Sequence, residues 1–215
     1  MVTGVQTCAL PIYCLMLQRV ALYDFDNTIA SGDSIVRLLK YDLKKHPIHC
    51  FYFFKVAFYY GLYLLHVVSF EKAKSALLFP LDYMTDAQLK TFYQQEVVPS
   101  YYSHIVKQME QEKHQGYVVI ICTASCEAYM QYQQLPCDVL LGTKTKHASS
   151  QIIGLNCKGQ EKVPRILNYL KSKNMEIDFE HSIAYSDSTS DLPMLSLVKN
   201  RKRIALKTGQ VSDFQ

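Results

Sequence analysis

Four consecutive apolar residues, Val20 to Tyr23, run straight into two carboxylates, Asp24 and Asp26, in the stretch VALYDFDNT. No other feature restricts the fold as much. An apolar run without polar alternation is a strand covered on both faces, which places it at the centre of a parallel sheet. Strand side chains repeat with period two, so the two acids leave the strand's carboxyl end on the same side, where open α/β sheets take their ligands. Like charges that close repel unless a cation sits beside them. Mg²⁺ is the natural candidate, a hard cation often held by one or two carboxylates together with substrate phosphate. Taken alone, DFDNT also reads as an acidic turn whose Asp and Asn serve turn chemistry.

Two further runs repeat the arrangement. Val118 to Cys122 ends in Thr123, Ala124 and Ser125, and Ser182 to Tyr185 ends in Ser186, Asp187 and Ser188, with Asp191 four residues after Asp187. Three buried strands, each ending in hydroxyls or carboxylates, make an active-site edge.

Between the first two strands the pattern is helical. Ile35, Leu38, Leu39 and Leu43 recur at helical spacing, Asp33 or Ser34 can cap that helix, and Pro47 ends it. Ile48 to Phe70 is strongly apolar and aromatic, interrupted by His49, Lys55 and His66. A lysine inside a span costs about 2.5–3.5 kcal/mol on insertion scales, so a buried or half-buried helix is expected rather than a membrane span. Contact with a membrane interface is open but not favoured. Helical pattern continues from Glu71 to Lys113, with a start signal at Thr85 or Asp86. Residues 34–102 therefore form an all-helical insertion of roughly seventy residues, too long for an ordinary crossover.

Further on, Gly116 ends a helix, and Ser125 can cap the next, with Glu127 in its first turn. Asp138 to Leu141 reads as a strand, Gln151 to Asn156 as a hairpin around Gly154, and Gly159 to Lys173 as a helix with Pro164 in its first turn. A helix follows over Ser190 to Val198, and Arg203 to Leu206 is the last strand. Buried strands alternating with helices define an α/β fold, a Rossmann-like parallel sheet flanked by helices.

The 215 residues are enough for one domain carrying an insertion, with 49% hydrophobic residues to fill its core. A net charge of +4 is mild, and the run Asn200 to Ile204, NRKRI, reads as a solvated turn before the last strand, so no nucleic-acid role is inferred. Seven cysteines, an odd count without zinc-type spacing, fit reduced thiols and a cytoplasmic location. Val2 to Ile12 resembles the translation of a short-read sequencing adapter, so residues 1–15 are set aside as a non-native leader. Met16 is then the expected start.

DFDNT, IICTAS, Lys162 and YSDSTSDLPML, in that order, resemble the four motifs of the haloacid dehalogenase (HAD) superfamily, and most closely its phosphoserine-phosphatase-like hydrolases of subfamily IB. The resemblance covers Val20 to about Leu206, with the first and last motifs the specific ones. It implies a core of residues 16–33 and 103–215 and a helical cap of residues 34–102. The stop at VSDFQ, where the family continues, suggests a truncated gene. The implied activity is Mg²⁺-dependent hydrolysis of a small phosphorylated metabolite. Asp24 would be the nucleophile that becomes an aspartyl phosphate, and Asp26 the general acid and then base. Thr123 would donate to a phosphoryl oxygen, and Lys162 would neutralise charge. Mg²⁺ would be held by the Asp24 carboxylate, the Asp26 carbonyl and Asp187, with Asp191 supporting its water shell.

Two departures bear on the substrate. Phosphoserine phosphatases carry a glutamate nine residues after the nucleophile that meets the substrate amine, where this chain has Asp33. Their glycine-rich segment after the second motif is replaced by Ala124, Ser125, Cys126 and Glu127, with Ser125 the candidate substrate contact. Other readings are a phosphotransferase of the same family and a noncatalytic phospho-accepting or membrane-associated binding protein. The late second pair of acids argues against a receiver-like module.

Overall fold

The computed structural model describes residues 15–214; the adapter-like stretch lies outside the described residues. A short strand, β1 (Met16–Gln18), leads into β2 (Val20–Tyr23), all four of whose residues are fully buried. Beside β2 run β3 (Val118–Cys126) and β6 (Ile183–Ser186), both parallel to it, so the three runs that end in polar residues are neighbours. Outside them lie β4 (Val139–Thr143) and β7 (Asn200–Ile204), and β8 (Val211–Asp213) closes the far edge antiparallel to β7. The order is β4-β3-β2-β6-β7-β8.

Period-two alternation divides the core. Ala21, Tyr23, Val119, Ile121 and Tyr185 pack on one face, with Ile105 and Met109 of α5 (Ser103–His114). Val20, Leu22, Ile120, Cys122 and Ala184 pack on the other, with Ile166 and Leu170 of α7 (Lys162–Ser172) and Met194 and Leu195 of α8 (Leu192–Leu195). Burying each large aliphatic side chain contributes about 1.5–3 kcal/mol, so these two clusters hold the sheet between its helical layers. Helix α5 stops where expected. Gly116 adopts φ +83°, its N–H reaches Lys113 O, and Tyr117 N–H reaches Glu112 O, a Schellman ending that returns the chain to β3.

Residues 34–100 contain helices and helical turns and no strand. Helix α1 (Ser34–Lys45) is capped by Asp33, whose Oδ1 accepts from the N–H groups of Ile35 and Val36. Helix α2 (Tyr52–Leu64) and α3 (Phe70–Leu77) follow, and α4 (Asp86–Phe92) starts on a capping box between Thr85 and Gln88. Helix α2 is half-buried, one of the two expected arrangements: Val56 is buried, and Tyr52 and residues 59–63 are partly buried. Apart from Lys55 its residues are apolar or aromatic on every side, so composition does little to reveal which face packs.

Other expectations shift. NRKRI is strand β7 itself rather than a turn before a strand, because its backbone pairs with β6 and β8 while its long cationic side chains reach water. The hairpin is centred earlier than Gln151 to Asn156: Lys144 to Lys146 pairs with Gln151 to Ile153 across a turn in which Ala148 has φ +49°. Ser125 remains in β3, and Cys126 is the first residue before α6 (Glu127–Met130), without a side-chain capping bond. Strand β1 pairs with β5 (Met175–Ile177), a two-stranded ribbon too short and exposed to show as an apolar run.

Candidate active site

After Tyr23 the chain makes a tight turn in which the N–H groups of Thr28, Ile29 and Ala30 all point at Phe25 O. Asn27 occupies the left-handed region at φ 59°, a conformation Asn tolerates, and its Oδ1 accepts from Gly32 N–H. This turn fixes Asp24 and Asp26 in different surroundings.

Asp24 is buried, and its Oδ1 accepts from Lys162 Nζ at 2.7 Å. Lys162 is 1% exposed and also donates to Asp191 Oδ2 at 2.8 Å. It reaches them from the first position of α7, after a helical turn begun by Gly159 at φ +57°, where a Cβ would sit 3.3 Å from Ser190 O. Glycine thus lets the Lys162 turn close on the loop that carries Asp191. Asp191 Oδ2 accepts in addition from Ser186 Oγ at 2.8 Å. Burial pushes the Asp24 pKa up to about 7, against the pull of Lys162 and with a further push from Asp191. Burial alone would depress Lys162; Asp24 and Asp191 outweigh it and hold the ammonium charged.

Asp26 faces a second group. Its Oδ1 accepts from Ser34 N–H at 2.8 Å, and its Oδ2 from Ser125 Oγ at 2.5 Å and Ser34 Oγ at 3.2 Å. Burial, then the charge of Asp33, raise its pKa to about 6, although these donors favour the charged form. Thr123 is buried and its Oγ1 accepts from Ser125 N–H, which leaves its own proton free to be donated. Asp187 Oδ1 lies 3.5 Å from Thr28 Oγ1, which also accepts from Asp187 N–H at 3.1 Å, and burial raises the Asp187 pKa.

The fold thus joins Asp24, Lys162 and Asp191 by direct bonds, and Asp26 to Ser125. Thr123 adjoins that second group and Asp187 sits at the end of the neighbouring strand. Asp33 stays exposed at the head of α1, acting on Asp26 through its charge. Three contributors went unread in the sequence. Thr28 ties the first loop to Asp187, Ser34 holds Asp26, and Lys74 of α3, 4% exposed, donates to Ala124 O and Asn156 Oδ1 at 2.6 Å each. For Thr28 and Ser34 the available signal was a hydroxyl inside or beside the acidic motif; Lys74 gave none.

The donor chemistry fits Mg²⁺. Every candidate ligand is a hard oxygen, and burial raises the pKa of Asp24, Asp26 and Asp187 in a group that Lys162 only partly neutralises. Among the described residues no three His, Cys, Asp or Glu side chains converge into a cage. Mg²⁺ characteristically uses one or two carboxylates and completes its shell with water and phosphate.

A parallel sheet with acids on two adjoining strand ends and a lysine buried between them defines an α/β protein with a polar site at the carboxyl edge of its sheet. The chain belongs to the haloacid dehalogenase-like hydrolase family, whose model matches residues 21–196. No curated protein matches it. Its fold is similar to that of a protein of unknown function from Bordetella pertussis Tohama I (TM-score 0.73, 19% identity, 86% of this chain and 89% of that one). It is also similar to a phosphoserine phosphatase solved as a phospho-aspartyl intermediate analogue (TM-score 0.59, 14% identity, 86% and 85%). A third similar structure is a phosphoserine phosphohydrolase-like protein from Francisella tularensis (TM-score 0.54, 17% identity, 86% and 86%).

Proposed function

We propose that the chain is a Mg²⁺-dependent phosphatase that hydrolyses a small phosphomonoester through an aspartyl phosphate on Asp24. The observation that carries this reading is the buried bridge of Lys162 between Asp24 and Asp191. Lys162 fixes one oxygen of Asp24, so the other is presented in a set direction for in-line attack on phosphorus. A carboxylate suits this role because it needs no base to deprotonate it, and the Lys162 ammonium favours its charged form against the burial that raises its pKa to about 7. As the new phosphorus–oxygen bond forms and the ester bond breaks, Asp26 gives its proton to the leaving alkoxide. Asp26 then takes a proton from the water that attacks the aspartyl phosphate, which releases inorganic phosphate and restores Asp24.

The pKa of about 6 suits both duties, since either protonation state is within reach near neutral pH. Thr123 donates its hydroxyl to a phosphoryl oxygen, and Lys162 offsets the charge gathered where a phosphate dianion meets Asp24. Bound Mg²⁺ would neutralise phosphate charge; Asp24, the Asp26 carbonyl and Asp187 would hold it, with Asp191 beside its water shell. Asp33 already uses Oδ1 to cap α1, so contact with a substrate amine would fall to Oδ2. Ser125 would act on substrate through Asp26. The five unpaired thiols among the described residues support a cytoplasmic setting.

The test is release of phosphate from an aryl phosphate and a panel of metabolite phosphates, with Mg²⁺ or with chelator, beside Asp24→Asn. Turnover that needs Mg²⁺ and disappears in the variant is expected. Release that persists in Asp24→Asn would remove Asp24 as nucleophile.

A further inference from the structure

Helix α2 and its flanks leave a continuous apolar stripe uncovered. Phe51, Phe54 and Phe58 are 65%, 75% and 62% exposed, and Phe51 and Phe54 stack with ring centroids 6.4 Å apart. Spacings of three and four residues put them on one side of the helix, and Leu65, seven residues beyond Phe58 and also exposed, continues the line. The opposite side is the packed one: Val56 is buried with Leu39, Ala76 and Phe79, and Tyr52, Tyr59 and Tyr60 lie half-buried against them. The stripe is therefore not an unfinished piece of the core.

Charge is distributed to match. Residues 34–79 carry seven Lys and Arg against two acids, while the whole chain has a net +4, so the remainder is slightly acidic. Lys40, Lys44, Lys45, Lys55 and Lys72 are exposed. The two acids are largely withdrawn from solvent, Asp42 buried against His49 Nδ1 at 2.8 Å and Glu71 half-buried at the Asn156 N–H. Lys55 stands on α2 itself beside Phe54. A phenylalanine stripe with Lys55 at its edge, on an insertion whose exposed charge is positive, suits an interface whose interior is apolar and whose surface is anionic.

We propose that this face of α2 docks on an anionic lipid bilayer, lying in the interfacial plane. It does not span. Thirteen residues of helix rise about 20 Å, against a hydrocarbon core of about 30 Å. Among the described residues no helix is long and apolar enough to cross. The inference is independent of the catalytic reading, because none of these residues touches Asp24, Asp26 or Lys162.

Flotation of the full chain with vesicles tests it, using phosphatidylcholine alone and phosphatidylcholine mixed with phosphatidylglycerol. Binding is expected to the mixed vesicles, and it weakens as salt screens the lysines. Each of Phe54→Ser and Phe58→Ser lowers partitioning about tenfold, the loss of a buried ring expressed as an equilibrium constant. Lys55→Glu lowers it only for the anionic vesicles. Both phenylalanines are exposed, so far-UV circular dichroism of the variants should match the parent. Asp24→Asn should float like the parent, which separates failure of this inference from failure of the phosphatase reading. No flotation with anionic vesicles, or flotation indifferent to the serine substitutions, overturns the proposal. So does a dimer in sedimentation velocity that the same substitutions dissociate, which would assign the stripe to a second copy of the chain.

Discussion

Replacing Lys162 by methionine keeps the side-chain length and removes the ammonium that touches both Asp24 and Asp191. Its Nζ lies 2.7 Å from the first and 2.8 Å from the second, in a residue 1% exposed. Deleting one partner of such a buried pair costs about 3–5 kcal/mol, because the other charge is stranded. Asp24 can relieve part of this by holding a proton. Burial already raises its pKa to about 7 while Lys162 pulls the other way, so loss of Lys162 drives it higher. A carboxylate whose folded pKa exceeds its unfolded value of about 3.9 takes up protons on folding, so stability falls as pH rises until the folded pKa is passed. In the parent this fall ends near pH 7; in the variant it continues. The destabilisation of Lys162→Met therefore grows by about 1.4 kcal/mol for each pH unit above neutrality, up to the new pKa. Urea unfolding in chelator at about pH 6 and about pH 8 measures it directly. Turnover should fall about 10²–10³-fold, the scale of losing one oriented charge at the reacting centre. A destabilisation equal at both pH values would refute the coupling of Lys162 to Asp24.

Three further substitutions probe the surrounding bonds. Ser125→Ala removes the hydroxyl that donates to Asp26 and favours its charged form, so the Asp26 inflection in the kcat–pH profile should move above about 6; an unmoved profile would detach Ser125 from the acid–base step. Thr28→Val deprives the Asp187 N–H of its acceptor, and the Mg²⁺ concentration for half-maximal rate should rise about tenfold, as for supporting residues of metal sites. An unchanged metal requirement would show that Asp187 is placed without Thr28. Glu112 is buried and accepts from Tyr23 at 2.7 Å, Tyr185 at 2.5 Å and Gln108 at 3.0 Å; Glu112→Gln should cost about 1–3 kcal/mol in urea unfolding and leave KM alone.

The parts of the fold visible in the sequence are those set by local periodicity. The runs at Val20, Val118 and Ser182 could be read because a strand covered on both faces admits few polar residues, and their order in the chain puts three polar ends together. The family motifs then supplied Lys162, which periodicity could not distinguish from Lys144 or Lys158. What escaped was set by long-range pairing. Strand β7 carries Arg201, Lys202 and Arg203, and its sequence looks solvated because its side chains are, while the backbone bonds that make it a strand are supplied by β6 and β8. Lys74 resembles any helical lysine, and its burial follows from Ala124 and Asn156, 50 and 82 residues away. The stripe on α2 was hidden for a different reason, since phenylalanines and tyrosines surround the helix and the single Lys55 marks too little of its circumference to show which side packs.

The acid chemistry expected of Asp26 is shaped by the insertion as well as by the sheet. Ser34, the first residue of α1, donates both its N–H and its hydroxyl to this carboxylate, while Ser125 reaches it from β3. The packing of α1 acts on Asp26 through burial, through the charge of Asp33 and through its donors. Burial and Asp33 raise its pKa, while the Ser34 donors lower it. Burial is the largest influence on Asp26 here and the charge of Asp33, at the head of α1, the next, so both influences that raise its pKa depend on where α1 packs. With α1 packed down, the same group holds its proton to about pH 6. The raised proton affinity of Asp26, on which its proposed acid role depends, thus arises where the insertion meets the strand ends.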